Sequence, residues 1–175
     1  MKTKTLITAV LLFVLIAANA QPGPLFMGDL LTVFNSDINK SKSTLASKGF
    51  KLEFNGEDYE NVFFYQWYHG RTSHQSDAFV MKYVIKDPEN FDWKDDCVEY
   101  ITYSRDNYVS CMRYCESSHM PLLESGKKEF TFTDSYLRDP GDYNIYQSSK
   151  YWIHFNAVQE ADKIVYRVLI RKIPE

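Results

Sequence analysis

Between positions 105 and 117 the chain reads Arg105-Asp106-Asn107-Tyr108-Val109-Ser110-Cys111-Met112-Arg113-Tyr114-Cys115-Glu116-Ser117, and two periodicities compete in it. Tyr108, Cys111, Met112 and Cys115 stand at i, i+3, i+4 and i+7, the spacing of one helical face. Val109, Cys111 and Cys115 also fit a strand that returns across an Arg-Asp-Asn turn. The helix is preferred, because Asp106 or Asn107 would cap it and because Ser110, Arg113 and Glu116 fall together on its opposite face.

With a helix there, the rest of the chain divides into two halves of similar order. Upstream, Leu30, Leu31, Phe34, Ile38 and Leu45 keep helical spacing, and Lys48-Gly49 supplies a stop, which predicts a first helix over about 29–48. Phe50 to Phe54 then alternates briefly before an Asn55-Gly56 turn. Stretches rich in Val, Ile, Tyr and Phe follow at 61–69, 78–86 and 96–104, each bounded by turn residues and expected to form an antiparallel meander. Downstream of the second helix, Ser118 to Pro121 breaks the pattern and Ser125-Gly126 mirrors the earlier stop. Alternating runs then occupy 128–133, 151–158 and 163–173. The expected fold class is α+β: two tandem αβββ units, 29–104 and 105–175, sharing one antiparallel sheet with both helices on one face. Each half alone would bury too little, and pooling the sheets enlarges the common core.

This order of elements, together with Leu45-Ala46-Ser47-Lys48-Gly49-Phe50 set against Leu122-Leu123-Glu124-Ser125-Gly126-Lys127, resembles the tandem secreted modules of the β-lactamase-inhibitor-protein-like group. The resemblance implies a sheet whose concave face is presented to a partner protein.

The N-terminus supports export. Lys2 and Lys4 precede an apolar run over about 6–17, and Ala18-Asn19-Ala20 offers small residues where a signal peptidase reads. A signal peptide over 1–20, cleaved after Ala20, would send the protein to a secreted or periplasmic address without a membrane span. Gln21 to Gly28 would follow as a flexible leader. Removing 20 residues from 175 leaves 155, and removing two lysines from 20 basic residues leaves 18 against 23 acidic ones. That acid excess, without a basic cluster, argues against nucleic acid as a partner.

Three cysteines in an oxidising compartment allow one disulfide in a monomer. Cys97 and Cys115 would lie opposite each other under either reading of 105–117, so they are the expected pair. The competing readings are reduced core thiols, and a zinc site in which Cys111, Cys115 and His119, at four-residue steps, are joined by Cys97. No phosphate loop, Ser elbow or His-Glu-x-x-His helix occurs, and the paired carboxylates Glu57-Asp58 and Asp95-Asp96 fall in turns. The sequence therefore implies neither a catalytic residue nor a cofactor. His69 and His74 flank a loop close to Asp77, where an acid–base pair is conceivable.

Aromatic residues carry the clearest functional signal. Phe63, Tyr65, Trp67 and His69 alternate with Val62, Phe64, Gln66 and Tyr68, so both faces of one strand carry rings, and one helical layer can cover only one of them. Tyr65, Trp67, His69, Trp152 and His154 are the expected binding residues, on an open sheet face suited to a protein partner. A carbohydrate or small ligand stacked on Tyr65, Trp67 and Trp152 is the alternative, and a hydrolase or thiol enzyme the third.

Overall fold

The computed structural model describes residues 25–59, 62–85, 96–128 and 141–173. Helices α1 (Met27–Asn35) and α2 (Ile38–Ser47) precede four strands, β1 (Phe50–Tyr59), β2 (Val62–Gly70), β3 (Ser76–Ile85) and β4 (Cys97–Thr102). Helix α3 (Arg105–Ser117) leads into β5 (Leu122–Lys128), β6 (Gly141–Gln147), β7 (Tyr151–Glu160) and β8 (Lys163–Lys172). All eight strands form one antiparallel sheet in the order β1-β2-β3-β4-β8-β7-β6-β5, so two meanders meet at the β4–β8 seam.

The stretch at 105–117 is helical. Its cap is Ser104, whose Oγ accepts the Asn107 N–H at 3.3 Å, rather than Asp106 or Asn107, because the helix begins earlier than they allow. Tyr108, Cys111 and Cys115 form its buried stripe. At its other end His119 takes φ 54°, and Met120 N–H reaches back to the Cys115 carbonyl at 3.0 Å. That is a Schellman-type stop made with a residue other than glycine.

The helix expected over 29–48 is two helices. Asp37 accepts the Lys40 N–H at 2.9 Å and so starts α2 afresh after the break at Ser36. Lys82, from β3, fills the break from below: its Nζ donates to the carbonyls of Val33, at 2.7 Å, and Ser36, and to Ser41 Oγ at 3.3 Å. Asp29 in the first turn of α1 pairs with Lys48 after α2 at 2.9 Å, which holds the hairpin of helices closed. Gly49 ends α2 at φ 85°, the left-handed position a glycine stop serves. Leu25 and Met27, expected in a flexible leader, are sealed in the core.

Among the described residues four strands lie on each side of α3, where three were expected. β1 runs through the Asn55-Gly56 dipeptide expected to turn, and Ser125-Gly126 lies inside edge strand β5 instead of stopping a helix. β6 begins at Gly141, outside the alternating runs expected from the sequence. The expected strand over 128–133 lies, apart from Lys128, outside the described residues, as does the expected signal peptide over 1–20.

Register shows where the core sits. Trp67, Val80, Tyr100, Val168 and Phe155 lie directly opposite one another across β2, β3, β4, β8 and β7, and residues so aligned share a face. They are buried in one cluster with Leu30 and Val33 of α1, Leu45 of α2, and Tyr108, Cys111 and Cys115 of α3.

No disulfide joins the cysteines. The expected Cys97–Cys115 bridge fails on parity: Val98 and Tyr100 point into the helical cluster, so Cys97 points to the other side of the sheet, away from α3. Burial pushes the thiols of both Cys111 and Cys115 up to about 12, which keeps them protonated and inert.

Candidate functional site

The other face of the sheet is where chemistry-bearing side chains gather. Three rows cross it from β2 to β7. One runs Tyr68, Phe79, Ile101, Arg167, Asn156; the next Gln66, Met81, Glu99, Leu169, His154; the third Phe64, Tyr83, Cys97, Arg171, Trp152. Strand β6 extends them with Tyr143, Ile145 and Gln147. Among the described residues no helix packs on this face, since the buried helical side chains belong to the opposite cluster.

Its first-half end is aromatic. Phe64 lies between Phe54, ring centroids 5.7 Å apart, and Tyr83 at 5.0 Å, giving a run of three rings across β1, β2 and β3. Its middle is polar and buried. Arg167 Nη1 donates to Glu99 Oε1 at 3.0 Å, and both side chains are largely buried. Burial raises the Glu99 pKa, and the Arg167 charge and hydrogen bond pull it back. Asn156, only 3% exposed, uses its Nδ2 on the Asp142 carbonyl at 3.3 Å. Its Oδ1, Arg167 Nε and Trp152 Nε1 are buried with no hydrogen-bond partner among the described residues. Buried polar atoms usually have one, and these three are exceptions on this face. At the far end, Tyr143 donates its hydroxyl to Glu124 at 2.5 Å, and that carboxylate raises the phenol's pKa.

The five residues expected to bind are divided by the sheet. Trp152 and His154 lie together here, rings 6.5 Å apart and edge to face. Tyr65, Trp67 and His69 lie on the helical side. Trp67 is 1% exposed at the centre of the core, and Phe63, Tyr65 and Trp67 stack in file beside it at 5.9 and 6.0 Å. The alternation along β2 separates the two ring sets correctly, but which set meets the helices depends on pairing with β3 and β4, far away in sequence. Phe64 and Tyr68, with Gln66, are the β2 residues that share a face with Trp152. His69 instead packs its ring on Phe50 at 5.2 Å and joins Asp77 through Nδ1 at 2.5 Å. Asp77 is 66% exposed, and the pair clasps the β2–β3 turn.

Glu99 and Arg167 did not stand out in the sequence, although each interrupts an apolar strand, Cys97-Val98-Glu99-Tyr100-Ile101 and Val165-Tyr166-Arg167-Val168-Leu169. A lone charge in such a run is the signal that finds them, and it also finds Lys82. Among the described residues no group of three or more His, Cys, Asp or Glu side chains is placed to hold a metal ion. His119, considered as a zinc ligand with Cys111 and Cys115, serves as the helix stop. A separate cavity of about 450 Å³ lies beyond α1, between Phe34, Asn35, Asp96, Lys150 and Ile173, and shares no residue with the face.

Among the described residues the chain is an α+β protein with three helices and an eight-stranded antiparallel sheet. Comparison of the chain with protein-family models, with curated proteins and with solved structures finds no match in any of the three. Among the described residues no helix is long and apolar enough to cross a membrane.

Proposed function

We propose that this is a secreted or periplasmic binding module, made of two tandem units and non-enzymatic, which engages a protein partner through the helix-free face of its sheet. The observation that carries the reading is the composition of that face: a ring-bearing end of Phe54, Phe64 and Tyr83 beside a buried Glu99–Arg167 pair. Rigid rings around a desolvated charged centre are the residue types on which protein interfaces concentrate their energy. The signal peptide and the likeness to β-lactamase-inhibitor-protein-like modules belong to the same reading.

The test compares two double variants in capture of partners from the native extracytoplasmic fluid. Phe64→Ala with Tyr83→Ala should abolish capture of the species held by the wild type while leaving the melting temperature within a few degrees. Tyr65→Ala with Trp67→Ala should unfold or strongly destabilise the protein, since Trp67 alone is worth about 3–5 kcal/mol in the core. Undiminished capture by the first variant contradicts the reading. A carbohydrate or small ligand stacked on Trp152, whose ring lies edge to face with His154 on the same face, is the second reading. Binding to a glycan panel, lost in Trp152→Ala, would select it.

A further inference from the structure

Strand β1 is an edge of the sheet, so one row of its backbone N–H and C=O groups has no neighbouring strand among the described residues. Its first five residues, Phe50-Lys51-Leu52-Glu53-Phe54, read alike in both directions once Lys and Glu are taken as opposite charges. Leu52 and Phe54 are 41% and 44% exposed, and Lys51 and Glu53 are exposed as well.

A bulge sharpens the pattern. Leu52 lies opposite Trp67 and Phe54 opposite Gln66, which leaves Glu53 as the extra residue. Glu53 accepts a hydrogen bond from Gln66 Nε2 at 2.8 Å, and the Lys51 ammonium sits 5.7 Å from the Tyr68 ring centroid. Gln66 and Tyr68 share the helix-free side, so Lys51 and Glu53 both project there, while Leu52 projects to the other side with Trp67.

We propose that this edge docks a second copy of the chain, the two β1 strands pairing antiparallel about a two-fold axis through Leu52. That axis sets each Lys51 opposite the partner's Glu53, on the same side of the joined sheet, and packs the two Leu52 side chains together. Opposite charges facing each other across strands attract, and like charges repel. Moving the axis by one residue sets Lys51 against the partner's Lys51, or Glu53 against the partner's Glu53, so charge selects one register. The bulge and charges blunt the edge against unrelated strands, whereas this register satisfies them. Such pairing is isologous and stops at two copies; β1 joined to the opposite edge, β5, would propagate without closing. The dimer seam runs along the β1 edge, not across the rows of the helix-free face, so it stands or falls apart from the binding function.

Sedimentation equilibrium of the purified protein over a range of concentrations tests this. The wild type should show a monomer–dimer equilibrium with no larger species, weakened by added salt. Lys51→Glu or Glu53→Lys alone turns both charge pairs repulsive and should weaken the dimer by about tenfold or more. The two single variants mixed should form a heterodimer, and the double exchange should restore the homodimer. Loss of folding cannot produce that rescue, and Glu53→Gln, which removes attraction without adding repulsion, should give an intermediate affinity. A wild type that stays monomeric throughout, a dimer indifferent to the reversals, or open-ended oligomers would each overturn the proposal.

Discussion

Lys82 shows how one side chain sets the shape of the helical layer. Its ammonium replaces the hydrogen bonds that the carbonyls of Val33 and Ser36 lose where α1 stops. Burial holds its pKa below the ordinary 10.5, against the opposing pull of Asp96 and Asp37. Because the folded value lies below the unfolded one, the unfolded chain binds more protons between the two, and stability rises with pH across that window. Lys82→Met leaves the carbonyls without their donor and should cost about 1–3 kcal/mol near neutral pH. Urea unfolding at about pH 7 and about pH 10 should also show the wild type gaining stability that the variant does not gain. The cysteines offer a second check at this scale. With Cys111 and Cys115 raised to about 12 and buried beneath the helices, the native protein should take up iodoacetamide there slowly, and mass spectrometry after unfolding should count three alkylated thiols without any reductant. A count of one would restore a disulfide.

Among the elements, α3 was legible in the sequence because its stripe is local: Tyr108, Cys111 and Cys115 at helical spacing are the residues the structure buries. The break between α1 and α2 was not, because Leu30, Phe34, Ile38 and Leu45 keep their spacing across it and the lysine that stabilises it comes from β3. Strands β2, β3, β4, β7 and β8 showed themselves by apolar runs. The edges β1 and β5 did not, since an exposed strand carries charges and glycine like a loop. Asn55-Gly56 and Ser125-Gly126, good turn and stop signals elsewhere, sit within strands here. His119 is the converse case, a helix stop that a glycine search passes over. At φ 54° it bears the left-handed penalty, so His119→Gly should stabilise the protein by about 1 kcal/mol, read as a rise in melting temperature; a fall would show that the imidazole makes contacts worth more than the strain.

For the molecule as a whole, the candidate site was half visible in the sequence. That one strand carried too many rings for a single helical layer followed from alternation alone, and Trp152 and His154 lie on the helix-free side. Placing Trp67 with them required knowing how β2 registers against β3, β4 and β8, which is information held by pairs far apart in the chain. The joined sheet resolves it: the row through Trp67, Tyr100 and Phe155 belongs to the helices, and the rows through Phe64 and Glu99 do not. The division of rings between the two faces is the claim on which the docking surface rests. Hydroxyl-radical footprinting of the folded protein, read residue by residue, tests it most directly. Phe64 and Tyr83 should be oxidised readily while Trp67, Tyr100 and Phe155 stay protected until the protein unfolds. Oxidation of Trp67 in the native state at a rate matching Phe64 would contradict it.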